Sequence, residues 1–225
     1  MAKQHPDDAH ARRGGRGRPS DPGKAQAVLD AASHLFLANG FAATSMDAVA
    51  ARAGVSKLTV DNRFGSKATL FQRVIETKCQ QMLGSLDGLP IDRADARQVL
   101  NAVGQAFVEL VTGDAAMAAH RLVVQERHRA PELGQLFFES AIMNCAGRVA
   151  RVIDRLVVQG DIAVDDPVQA ARDIMTMWRA EPVALAELGV GRLTDADLHR
   201  HVARITELFL KLWRPQGAAI PDRSA

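Results

Sequence analysis

The stretch from Thr44 to Phe64 reads as two short helices around a glycine turn, a unit of the helix-turn-helix kind. Thr44 is placed to cap the first helix, with Asp47 three residues on completing a capping-box-like pair. Met46, Val49, Ala50 and Ala53 then share one helical face. Gly54 supplies the turn, where the lack of a Cβ relieves the backbone. Ser56 is placed to cap the second helix, and Val60 and Phe64 form its buried edge.

At roughly 100° per residue, Leu58 and Asn62 fall opposite that edge, flanked by Thr59 and Asp61. Lys57 and Thr59 occupy the first turn, where free amides favour phosphate and a recognition helix meets base edges. Asn62 has the amide geometry to pair with adenine, and Leu58 the apolar surface for a thymine methyl. Ser45, Arg63 and Lys67 complete a candidate DNA-contacting set with Thr44, Ser56 and Asp61. The same pattern also suits a plain helical hairpin.

The preceding arm favours nucleic acid. It runs A-R-R-G-G-R-G-R-P-S, with Arg12, Arg13, Arg16 and Arg18 among glycines and Pro19 that prevent a stable helix. Arg16-Gly17-Arg18-Pro19 has the form of an AT-hook core, in which glycine lets the backbone approach the floor of a narrow A·T minor groove. A solubilising tail has the same composition. Charge is distributed accordingly. Residues 1–70 hold ten Lys/Arg against six Asp/Glu, and the remainder eighteen against twenty, so the basic excess lies with the helix-turn-helix.

With 225 residues, 47% apolar and 24% charged, the chain has globular composition. Recurrent periodic segments predict an all-α fold: an arm over 1–21, a DNA-binding unit over 22–71, a helical ligand-binding and dimerisation domain over 72–215, and a tail over 216–225. Helices are expected at 22–38, 67–83 after a Ser66 cap, 93–112, 114–128, 131–159, 166–188 and 194–213, with a linker over 84–92. Pro182 is expected to kink or split its helix.

Cys79 and Cys145 make no disulfide framework; they suit buried free thiols or a redox pair. The N-terminus has no apolar signal region and no run reaches the ~18 apolar residues of a membrane span, so a cytoplasmic protein without membrane partners is expected. No G-x-S-x-G, P-loop, dinucleotide or H-E-x-x-H motif occurs, and the histidines lack metal-ligand spacing. Neither an enzyme nor a cofactor or metal is expected.

The pieces A-A-x-x-L-F at 31–36, N-G-F at 39–41, A-G-V-S-K at 53–57 and F-G-S-K-x-x-L-F at 64–71 share one register, and residues 25–76 resemble the N-terminal domain of TetR-family transcriptional regulators. The resemblance implies a dimeric regulator, commonly a repressor, binding a double-stranded operator and released by a small-molecule effector. It also implies a tyrosine, three residues before Phe64, on a DNA phosphate. This chain has Asp61 there and no tyrosine at all. A carboxylate at that place costs affinity for the backbone, or accepts from cytosine N4 if the helix sits deep. Residues 120–140 are similar to the ligand domain of the AefR-like branch, whose members often stand beside transport functions.

The resemblance further implies a ligand among the C-terminal helices and a dimer interface on the last two. Phe107, Met117, His120, Arg121, Gln125, Phe138, Met143 and Trp178 are the candidate pocket residues. Ile174 and Met177, with the stripe Leu198, Val202, Ile205, Leu208, Phe209 and Leu212, are the candidate interface. Both sets also suit ordinary core. Two readings follow: a dimeric, ligand-responsive repressor on a palindromic operator, or a helical small-molecule- or partner-binding dimer that has lost DNA affinity through Asp61.

Overall fold

A computed structural model describes residues 22–84 and 94–215, all of whose regular structure is helical. The basic arm with Arg12, Arg13, Arg16 and Arg18, most of the linker and the tail lie outside the described residues.

Helix α1 (Pro22–Ala43) buries Val28, Ala31, Ala32 and Phe36 along one stripe. It breaks at Gly40, whose φ of 83° and ψ of 168° only glycine adopts readily. The break folds Phe41 back onto Phe36, with ring centroids 5.6 Å apart, and Phe71 meets both rings edge-on.

Two sequence expectations need correction at this corner. Ser45, not Thr44, caps α2 (Met46–Ala53), accepting a hydrogen bond from the Ala48 amide at 3.1 Å. Thr44 is buried, and its hydroxyl donates to the Gly40 carbonyl at 2.8 Å, so it secures the break and is not available to DNA. Lys67 is also turned inward. Its ammonium donates to the carbonyls of Phe41, Ala42 and Thr44 at 2.8–3.2 Å and lies 4.5 Å from the centre of the Phe41 ring. All three of its donors are used, and Lys67 ties the end of α1 to the start of the helix that Lys67 itself opens.

Gly54 takes the left-handed turn (φ 67°, ψ 31°) after α2. Ser56 caps α3 (Lys57–Phe64) and Ser66 caps α4 (Lys67–Leu83), each hydroxyl accepting from the amide three residues on. Val60 and Phe64 are the buried edge of α3, as the i, i+4 spacing requires.

The second half begins with α5 (Ala96–Thr112), which is packed by α9 (Pro167–Leu188) and α10 (Asp195–Leu212). Gly104 permits that approach: a Cβ there would stand 2.6 Å from Val202 Cγ1 and 2.8 Å from Trp178 Cε2. Helix α6 (Asp114–Glu126) reaches back to α1, where Leu122 and Glu126 face the Gly40 break.

The segment expected as one helix over 131–159 is three pieces. Helix α7 (Glu132–Phe137) passes into a π-helical turn (Phe138–Met143) and then α8 (Asn144–Gln159), which packs on α9. No glycine or proline marks the turn, because widening to i→i+5 bonding needs no special residue. Pro182 neither splits nor ends α9, in which it is buried. Its missing N–H leaves the Trp178 carbonyl without a helical donor, and His201 Nε2 on α10 lies 3.0 Å from that oxygen.

Candidate functional site: a recognition helix above an apolar cavity

Helix α3 presents Lys57, Leu58, Asn62 and Arg63 to solvent, with Thr59 and Asp61 half-exposed beside them. Leu58 is 67% exposed although it is a large apolar side chain, so none of the described residues covers it. Ser45 and Ser56, the caps of α2 and α3, are exposed on the same unit. Lys57 does not stand alone. Its Nζ lies 2.8 Å from Asp47 Oδ2, tying the two helices together, and this hydrogen bond with the charge of Asp47 raises the lysine above its ordinary range. Asp61 adds a further favourable charge. The face is therefore a mixture of paired charge, amide and apolar surface, suited to reading base edges as well as phosphate.

Beneath this unit lies a cavity of about 460 Å³. Ser33, Phe36 and Leu37 of α1 and Phe71, Val74, Ile75, Lys78 and Cys79 of α4 form one side. Helices α5, α6, α8 and α9, with α7 and the π-helical turn, close the rest. The wall is mostly apolar, with a few polar groups: Ser33, Lys78, His120, Arg172, Thr176, Arg179 and Glu187. His120 Nδ1 lies 3.2 Å from Glu187 Oε1 across the gap between α6 and α9. Such a lining fits an apolar ligand with a small number of polar anchors.

Four of the expected pocket residues line this cavity: Phe107, Met117, His120 and Phe138. The other four do not. Arg121 and Gln125 are exposed because they lie on the far face of α6, and Arg121 borders a separate small cleft with Asp114 and Arg192. Met143 ends the π-helical turn and is half-buried outside the lining. Trp178 is wholly buried against Gly104 and Val202 as core. The residues missed include every α1 and α4 member of the wall and the α9 face from Arg172 to Glu187. The apolar faces of α1 and α4 were legible, but not that these would look onto a cavity rather than close against α5 and α6.

The expected interface set divides in two. Ile174, Val202, Ile205 and Phe209 are buried within the protomer, because α5 packs on the same faces of α9 and α10. Leu198 is half-buried against that core. Met177, Leu208 and Leu212 are exposed, at 41%, 40% and 75%. On α9, Ala180, Ala184 and Leu188 share the exposed face with Met177 at helical spacing. In the sequence the stronger buried stripes hide that small-residue face. No described helix is long and apolar enough to cross a membrane.

Known proteins share both parts. Residues 28–74 match the bacterial regulatory proteins of the tetR family, and residues 98–215 match the C-terminal domain of AefR-like transcriptional repressors. The HTH-type transcriptional activator FasR of Mycolicibacterium smegmatis is 33% identical over 114 residues, 51% of this chain and 50% of FasR, so the match spans half that relative's length. A TetR-family transcriptional regulator from Mesorhizobium loti superposes with a TM-score of 0.72 at 26% identity, covering 85% of this chain and 97% of that one. The flavonoid-responsive regulator FrrA superposes with a TM-score of 0.71 at 31% identity, covering 86% and 98%. An N-terminal helix-turn-helix, an all-helical C-terminal domain and matches to both family descriptions meet in one chain: it belongs to the TetR family of transcriptional regulators, in the AefR-like branch.

Proposed function

We propose that this regulator is a homodimeric repressor that holds a palindromic operator through α3 and releases it when an apolar small molecule fills the cavity. One observation carries the reading: the cavity wall is shared between helices α1 and α4, which support the recognition helix, and the helices of the C-terminal half. Phe36 and Phe71 line the cavity and also form the aromatic cluster with Phe41 at the Gly40 break. A ligand that favours one arrangement of α1 and α4 thereby favours one setting of α3, and its differential affinity for the two settings is the coupling.

The dimer forms on the exposed face of Met177, Ala180, Ala184 and Leu188, with Leu208 and Leu212 beside it. It sets the two copies of α3 about one DNA turn apart, on the order of 34 Å. Ser45, Ser56, Lys57, Leu58, Thr59, Asp61, Asn62 and Arg63 are the contacts, with the four arm arginines in the adjacent minor groove. The protein acts in the cytoplasm and catalyses nothing. FrrA is flavonoid-responsive by name and FasR is named an activator, so both the effector and the sign are open to direct test in this chain.

The test is fluorescence anisotropy of the full-length protein on its own upstream DNA, with a panel of flavonoids and alkyl or aryl acids. A ligand of this cavity weakens the complex by about 5- to 150-fold, the usual range of allosteric coupling. Ligands that bind without changing DNA affinity would leave a binding module whose cavity does not govern DNA. A protein that binds no DNA more tightly than random duplex would be a dimer disabled by Asp61.

A further inference from the structure

Two thiols face each other in the cavity wall. Cys79 is on α4 and Cys145 on α8; both are free, buried from bulk solvent and part of the lining. Both line the same cavity where those two helices pack together, close enough for each sulfur to bear on the other's ionisation. They are the chain's only cysteines. The pair thus joins the helix that follows the recognition helix to the ligand-binding half, at a place an apolar molecule in the cavity touches directly.

We propose that Cys79 and Cys145 are a reactive dithiol through which an apolar organic hydroperoxide, taken up in the cavity, covalently links α4 to α8.

Their environments divide the labour. The neighbouring Cys145 thiol and the charge of Arg148 hold the Cys79 thiol below its ordinary range, with burial opposing. The neighbouring Cys79 sulfur and burial push the Cys145 thiol up. Cys79, on the helix that follows the recognition helix, is assigned as the nucleophile and Cys145 as the resolving thiol, an assignment the two single-cysteine variants below test. In the first step the Cys79 thiolate attacks the terminal peroxide oxygen. An S–O bond forms, the O–O bond breaks, and the alkoxide leaves and takes a proton from solvent as an alcohol. Sulfur gives up two electrons and the peroxide is reduced. In the second step Cys145 sulfur attacks Cys79 sulfur. The S–S bond forms, the S–O bond breaks, and the hydroxyl departs with the Cys145 proton as water.

Geometry supplies the consequence. A disulfide requires sulfurs about 2.05 Å apart, closer than any thiol–thiol hydrogen bond, so bond formation draws α4 toward α8. Helix α4 follows α3 directly after Gly65 and Ser66, and Lys67 at its start holds the α1–α2 corner. Formation of the link stands on the cavity alone; its effect on DNA rests on the reading in the preceding section.

The experiment treats reduced full-length protein anaerobically with cumene hydroperoxide or hydrogen peroxide. Intact mass and peptide mapping report the link, and anisotropy on upstream DNA is read in parallel. The expected result is loss of both thiols, a mass lower by two hydrogens and a Cys79–Cys145 cross-linked peptide. The reaction is at least about tenfold faster with cumene hydroperoxide at equal concentration, because the apolar body concentrates in the cavity. C145S stops at a Cys79 sulfenic acid that dimedone traps, and C79S leaves Cys145 unmodified; thermal melts confirm that each variant is folded. Retention of two titratable thiols in the treated wild type, or cross-links only between protomers, overturns the proposal, and this readout needs no variant to fold. Equal rates with the two peroxides overturn the cavity-borne substrate. A link that forms without changing DNA affinity leaves the dithiol standing and refutes only its regulatory consequence.

Discussion

His201 on α10 hydrogen-bonds through Nε2 to the main-chain oxygen of Trp178 on α9, at 3.0 Å. This is the oxygen that Pro182 leaves without a helical donor, since a proline carries no N–H to return to the residue four before it. The other ring nitrogen, Nδ1, lies 3.2 Å from Glu181 Oε2. A proline that would otherwise cost helix α9 a buried, unpaired carbonyl instead anchors α10 to it. The anchor lies next to the exposed face of Met177 and Ala180 on which the dimer is proposed.

Substitution of His201 by phenylalanine should therefore destabilise the fold by about 1–3 kcal/mol, the cost of stranding a buried acceptor. The cost should shrink in the background of Pro182→Ala, because the alanine restores a main-chain N–H that serves the Trp178 carbonyl. Denaturant melts of the two single variants and the double variant measure this directly. Additive effects would show that the two residues are not coupled through that oxygen.

Gly104 marks the closest approach of α5 to its neighbours. Gly104→Ala places a methyl carbon 2.6 Å from Val202 Cγ1 and 2.8 Å from Trp178 Cε2, both in packed core. A loss of about 1–3 kcal/mol is expected from overpacking. Adding Val202→Ala opens room on one side and should recover part of it. No recovery at all, read by thermal melting, would locate the strain at Trp178 alone.

Lys57 and Lys67 separate contact from scaffold. Lys57→Ala should leave the melting temperature nearly unchanged, since its exposed pair with Asp47 contributes little, yet weaken DNA binding and lower the salt slope by about one. Lys67→Met should do the reverse. It strands the carbonyls of Phe41, Ala42 and Thr44 and lowers stability by about 1–3 kcal/mol, with DNA binding falling only as the folded fraction falls. Equal salt slopes for wild type and Lys57→Ala would remove Lys57 from the phosphate contacts.

Asp61 and the arm act on the same electrostatics. Asp61→Tyr should change affinity or base preference without creating binding from nothing. Deletion of residues 1–19 should weaken binding and flatten its salt dependence. An arm deletion with an unchanged slope would mean that the arm meets no phosphate. If only the tyrosine variant binds promoter DNA, the wild-type chain is not a DNA-binding regulator.

The sequence carried the local elements well and the long-range relations poorly. Ser56, Gly54 and the Val60/Phe64 edge announced α2 and α3 because caps, left-handed turns and i, i+4 stripes depend on neighbours in the chain. Thr44 against Ser45 was a contest between adjacent hydroxyls, settled by the Gly40 break that turns Thr44 inward. Lys67 looked like a surface cation because nothing local says that the ends of three distant peptide units converge on it. Trp178 and the stripe Val202, Ile205 and Phe209 carried an apolar signal, and only the packing of α5 decides that this signal is core rather than interface. The π-helical turn at Phe138–Met143 left no mark in composition. Pro182 carries the local signature of a breaker because its compensating partner, His201, lies nineteen residues away on another helix.

The most direct measurement is an anisotropy titration of the full-length protein on its own upstream intergenic DNA at two salt concentrations, with excess non-specific competitor. Specific binding with a steep salt dependence, lost when Leu58 and Asn62 are replaced by alanine, is the predicted result. Binding no tighter than to random duplex, or specific binding unaffected by those two substitutions, would contradict the assignment of α3 as the recognition helix.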